Sequence, residues 1–161
     1  MNIRYGAGDA KIGSIIGKGA WEGRELRGKF LKNLPALEKL RSAVGAAAKR
    51  GYLIGLDGRH VPVRSEHAAL NTLLQSAGAL IAKQWLVEVA YECKFRGLVH
   101  GKDYALLGFI HDETQWQVKA ELAEEFGQLV VDCAAKAGNY FNFKVPIDAE
   151  YSVGDNWADT H

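Results

Sequence analysis

His111-Asp112-Glu113 joins two strand-like stretches in the segment Lys102 to Val118, so the triplet is expected at a hairpin tip. Two adjacent carboxylates at a tight turn can face one point, whereas on a flat strand they would face opposite sides. Mg²⁺ binds oxygen ligands, usually takes one or two carboxylates, and leaves room for substrate phosphates. In nucleotidyl transfer a metal pair lowers the pKa of an attacking hydroxyl and stabilises the leaving oxygen. The simpler reading of an acidic hairpin tip is a solvated turn, which is common.

Asn71 and Gln75 stand four residues apart in a helical stretch and share a face, which Gly78, Ala79 and Ala82 continue with small side chains. A nucleic-acid duplex could approach such a strip closely. Amide donors can reach the minor-groove acceptors that every base pair offers, testing pair geometry without reading sequence. The plainer role is a polar pair satisfied in a helix packing seam. Arg59 and Arg64 fit phosphate or minor-groove contacts, or serve as surface charges. The glycine-rich start does not make a nucleotide loop. Gly13-Ser-Ile-Ile-Gly17-Lys18 is one residue short, and Gly8 to Gly13-Ser14 lacks the lysine.

The elements that would position these residues can be read from periodicity. Seven glycines between residues 5 and 28 predict short helices with loose junctions. Leu26, Phe30 and Leu31, then Leu37, Leu40 and Val44, recur at helical spacing around a break at Asn33-Leu34-Pro35. Gly51 to Arg64 reads as a hairpin with an Asp57-Gly58 turn and Pro62 on an edge. Glu66 to Arg96 reads as one long helix, apolar over much of its circumference and expected to be buried on several sides. Leu122, Phe126, Leu129, Val130, Cys133 and Ala137 mark an amphipathic helix with acids in its first turns. Alternating Val145, Ile147, Ala149 and Tyr151 predict a last strand between Phe143 and Val153.

With 161 residues, 48% apolar and 24% charged, the chain has the composition of one ordinary globular domain or part of one. Cys93 and Cys133 lack nearby ligand partners, which speaks against a disulfide framework or a zinc site and fits a reducing cytoplasm. No segment has signal-peptide or bilayer-spanning character, so no membrane partner is expected. Charge is segregated. Residues 1–64 carry 13 Lys/Arg against 5 Asp/Glu, a net of +8, and residues 65–161 carry 7 against 14, a net of −7. A basic half suits phosphate contacts through counterion release, though solvated surfaces segregate charge too.

Taken in order, Tyr5-Gly-Ala-Gly-Asp9, Gly55-Leu-Asp-Gly-Arg59, Ala68-Ala-Leu-Asn71-Thr-Leu-Leu-Gln75-Ser-Ala-Gly-Ala79, His111-Asp-Glu113 and Asn156-Trp157 with a terminal His161 resemble the C-terminal part of family A DNA polymerases. Leu70 to Leu80 is closest to the T7-type phage members. The resemblance implies an α+β fold, with residues 1–50 as the later, helical part of the fingers. Residues 51–161 would form the C-terminal part of a palm, a small antiparallel sheet with packed helices.

It also implies that Asp112 is one of two metal-binding aspartates, with Mg²⁺ as the cofactor and Glu113 supporting the site near the primer end. His111, Asn71, Gln75 and Arg59, with Arg64 and His161, would face primer–template DNA. Phe109 stands where many cellular members have Gln. The other catalytic aspartate, the finger helix that holds the incoming deoxynucleoside triphosphate, and the thumb would precede Met1. The chain is therefore expected to be inactive until joined by an N-terminal polymerase fragment, in the cytoplasm of a bacterial host if phage-encoded. The alternative is a noncatalytic DNA-binding or interaction remnant.

Overall fold

A computed structural model describes residues 8–160. The architecture is α+β: five α-helices and two separate two-stranded antiparallel sheets, in the order α1 (Asp9–Ile15), α2 (Ala20–Lys32), α3 (Pro35–Ala48), β1 (Tyr52–Ile54), β2 (His60–Pro62), α4 (Ala69–Phe95), β3 (Tyr104–Ile110), β4 (Glu113–Val118) and α5 (Ala123–Tyr140). Two compact units divide at Ala77 and Gly78, inside α4.

In the first unit, α1 and α2 pack backbone to backbone. A Cβ at Gly23 would lie 2.0 Å from the carbonyl oxygen of Asp9, so only glycine permits the approach. Asp9 locks the pair, with Arg24 Nε 3.4 Å from its Oδ2 and Arg27 Nη2 3.0 Å from its Oδ1. Helix α2 stops at Asn33, and Pro35 opens α3, where its missing N–H costs nothing. Val44 and Ala48 of α3, Leu53 of β1, and Ala69 and Leu70 of α4 form this unit's core. The β1–β2 ladder pairs Tyr52 with Pro62 and Ile54 with His60. Its connection takes Gly58 to φ 83°, which glycine adopts without strain. The long helix begins three residues later than its periodicity indicates. Ser65 Oγ accepts the Ala68 N–H at 3.3 Å and holds Glu66–Ala68 in a 3-10 turn.

In the second unit, Val89 and Cys93 of α4 pack against Phe126, Leu129, Val130 and Cys133 of α5, with half-buried Trp85, Tyr104, Trp116 and Val118 around them. Trp85 Nε1 donates to the Val130 carbonyl at 2.7 Å. The rings of Tyr104, Trp116 and Phe126 lie with centroids 5.3 to 6.0 Å apart and seat the β3–β4 hairpin on α5. Glu92 joins the two helices on the outside, accepting from Arg96 and Lys136.

Two expectations need correction. No strand forms between Phe143 and Val153. The alternation is real, but its partner is a helix: Tyr151 lies over Gly127 and Ile147 over Gly138 of α5, where a Cβ would meet their side chains at 2.3 and 2.8 Å. The glycines form grooves that receive the extended segment, and Tyr151 Oη donates to Glu124 at 2.9 Å. Helix α4 is also not buried on several sides, since Val87, Tyr91 and Phe95 are exposed. Only its α5-facing side is covered within the second unit.

Candidate functional site

The hairpin tip follows from strand register. Ile110 pairs with Glu113, Phe109 with Thr114 and Gly108 with Gln115, leaving His111 and Asp112 as the whole turn. Two-residue hairpin loops require positive φ at one or both central positions. Here His111 takes φ 56°, and Asp112 does not join it. A non-glycine residue in that region costs roughly 1–2 kcal/mol, although histidine is among the more tolerant types. Further down, the register shifts between Leu106 and Gly108, making Leu107 an extra residue that is 67% exposed. A bulge of this kind bends and twists the ladder, re-aiming the tip.

At the tip, His111 and Asp112 are exposed and Glu113 is half-buried. Glu113 Oε1 accepts a hydrogen bond from Gln115 Nε2, so this carboxylate is held along β4. Asp112 has no hydrogen-bond or ion-pair partner among the described residues, leaving both carboxylate oxygens open to an outside ligand. Gln115 belongs to none of the sequence motifs; its signal is the two-residue spacing from Glu113, which places both side chains on one strand face. Phe109 is partly exposed beside the tip.

The chemistry of the tip suits a hard divalent cation, because an unpaired carboxylate supplies the oxygen ligands such ions take. Among the described residues no group of three or more His, Cys, Asp or Glu comes together as a metal site. Asp112 by itself does not make a metal centre.

Asn71, Gln75, Arg59 and Arg64 lie in the first unit. Asn71, half-buried, and Gln75, exposed, stand one turn apart on α4. Asn71 joins Arg41, Glu66 and His67 in lining a shallow cleft beside α3. Spacing from Asn71 could have drawn attention to His67. Gly78 and Ala79 are exposed, and a Cβ at Gly78 would meet nothing within 4 Å. Arg59 is clamped at the β1–β2 turn, its Nε and Nη2 each 2.6 Å from Asp57 Oδ2. Desolvation raises the pKa of Asp57, but the backbone N–H and guanidinium of Arg59 outweigh it and hold the carboxyl below the usual range. Arg64 is exposed and unpaired among the described residues. His161 and residues 5–7 of the first motif lie outside the described residues.

The second unit thus presents an exposed acid at a hairpin turn, and the first unit separately presents the Asn71 and Gln75 amides on α4 and the exposed Arg59 and Arg64. The family model for DNA polymerase family A matches residues 2–159, and the chain belongs to that family. It is 43% identical to the DNA-directed DNA polymerase of Escherichia phage T7, a match covering 98% of this chain and 25% of that protein. Identity to the DNA-directed DNA polymerase of Enterobacteria phage T3 is 42%, with the same coverage. For that of Escherichia phage Phieco32 it is 36%, over 99% of this chain and 26% of the relative. The chain therefore spans about a quarter of the length of these relatives. Among solved structures, the POL domain of Pol1 from M. smegmatis, in complex with DNA primer-template and dNTP, shares the fold with a TM-score of 0.78 at 22% identity, covering 91% of this chain and 27% of that one.

Proposed function

We propose that this chain is the C-terminal part of a DNA-directed DNA polymerase, with residues 1–50 belonging to the fingers and 51–161 to the palm. The observation that carries the reading is Asp112, held exposed and without a partner at a two-residue turn in a chain of this family. Asp112 would supply one carboxylate to Mg²⁺, and a second aspartate would come from the preceding part of the polymerase. When bound, such ions would lower the pKa of the primer hydroxyl and stabilise the leaving oxygen.

The chain's own residues bind and orient. Glu113, held by Gln115, keeps negative charge beside the tip, and His111 reaches the primer end. Asn71 and Gln75 donate to minor-groove acceptors, which supports copying of any sequence. Arg59 and Arg64 contact the duplex backbone and make binding salt-dependent. A single metal-binding aspartate cannot hold a two-metal site, so the isolated chain does not extend primers. The incoming deoxynucleoside triphosphate is held mainly by the other piece. The setting is the cytoplasm, that of a bacterial host if the chain is phage-encoded.

The test combines the purified chain with the preceding part of the phage T7 polymerase, primed template, Mg²⁺ and nucleotides. Extension is expected only with both pieces and intact Asp112, and Asp112→Ala should lower it by roughly 10²-fold or more, the scale of losing one preorganised electrostatic contact to the transition state. Extension by the isolated chain would overturn the reading that an aspartate outside these residues is required. Association without extension would mark a noncatalytic remnant.

A further inference from the structure

Helix α4 has two apolar sides within the second unit, and only one is covered. Val89 and Cys93 are fully buried against α5. Val87, Tyr91 and Phe95 follow one another at a spacing of four residues, which at about 100° per residue places them on roughly the opposite side. They are 41%, 66% and 87% exposed. Exposed Lys83 and Lys94 border this stripe on one flank, and Gln84 and Glu88, hydrogen-bonded to each other at 2.8 Å, border it on the other.

Single exposed apolar residues are ordinary, but a continuous stripe with a polar rim has the form of an interface. Each aromatic ring covers on the order of 150–250 Å² when buried, so Tyr91 and Phe95 dominate the area available. A helix apolar on opposite sides is the interior element of a larger body, and an obligate interface resembles such a core cut in half. The relatives hold about three quarters of their length outside the part that matches this chain.

We infer that the Val87–Tyr91–Phe95 stripe of α4 is a docking face for an apolar surface of the remaining portion of the polymerase. The inference rests on the polymerase reading above and names the surface through which the two portions hold together. The contact is apolar and central to the stripe, with Lys83, Lys94 and Glu88 at its rim.

The experiment titrates the 161-residue chain, wild type or Tyr91→Ser/Phe95→Ser, with the unmatched portion of the phage T7 polymerase. Affinity, hydrogen exchange of residues 87–95 and primer extension are read on the same samples. Both substituted side chains are exposed, so circular dichroism should show an unchanged fold. Expected are slowed exchange at 87–95 on mixing and at least tenfold weaker binding by the double variant. Equal binding by both proteins, with extension intact and exchange at 87–95 unchanged, would overturn the docking face while leaving the polymerase reading in place. Neither binding nor extension with wild type would sink the polymerase reading and the docking face together. Slowed exchange that depends only on the chain's own concentration would overturn the proposal in favour of a second copy.

Discussion

Ile110 and Glu113 face each other across the last rung of the β3–β4 ladder, so that His111 must turn the chain with φ 56° to present Asp112. The position of the acid thus depends on a conformation that histidine adopts at a cost. That cost makes the turn separable, by substitution, from the function proposed for it.

Glycine at position 111 should stabilise the hairpin by about 1 kcal/mol, because it relieves the left-handed backbone. It should also weaken primer–template binding by the reconstituted polymerase, through loss of the imidazole. Urea midpoints and DNA titrations on the same His111→Gly protein separate the two effects; unchanged DNA affinity would remove His111 from the primer site.

Asn71→Ala and Gln75→Ala should each weaken the reconstituted complex on primed DNA by about 1 kcal/mol, the net worth of a typical hydrogen bond. The loss should be similar across template sequences, because minor-groove acceptors are common to every base pair. Fluorescence anisotropy on several duplexes measures it. A strong sequence dependence would contradict the proposed contact.

Gly127→Ala sets two effects against each other. Alanine favours the helix by about 1 kcal/mol, while its Cβ would sit 2.3 Å from the Tyr151 ring. The ring must leave, breaking the Tyr151 Oη to Glu124 hydrogen bond. Hydrogen exchange should therefore accelerate across residues 141–156 while α5 itself remains protected. Uniform protection would show that Tyr151 is not seated as described.

Cys133 is buried in the second unit's core, and burial pushes its thiol up to about 11 from an ordinary value of 9.0. The neutral thiol is favoured by the fold, so its contribution is complete below pH 9. It declines as pH rises from 9 toward 11, where the unfolded chain ionises first. A pKa difference of about two units corresponds to roughly 2–3 kcal/mol. Denaturant titrations between pH 8 and 11 should show the decline, and Cys133→Ala should lessen it, after the constant cost of its cavity, leaving the part due to Cys93 and Tyr104, which burial also pushes up. At neutral pH the thiol should resist maleimide until the protein unfolds.

Much of the local structure is legible from short-range chemistry. Pro35 after Asn33-Leu34 divides α2 from α3, and the acid-rich, amphipathic run after Leu122 becomes α5. The polar triplet between two apolar stretches marks the second hairpin to within a residue. In each case the signal and the structure lie within a few residues of one another. Motif order over the whole chain likewise identifies the family, since it depends on residue types alone.

The tertiary structure decided what each periodic face meets. Alternation between Val145 and Tyr151 has the same spacing whether the partner is a strand or a grooved helix; Gly127 and Gly138 on α5 selected the helix. The all-round apolarity of α4 indicates burial, but packing determines that the α5 side is covered and the Val87–Tyr91–Phe95 side is open. Likewise, Asp112 and Glu113 are equivalent acids in one dimension. Strand pairing makes one the free turn residue and places the other on a rung beside Gln115. Residue type and spacing determine local conformation and the available chemistry, whereas contacts between distant segments decide which groups are held and which remain open to a partner.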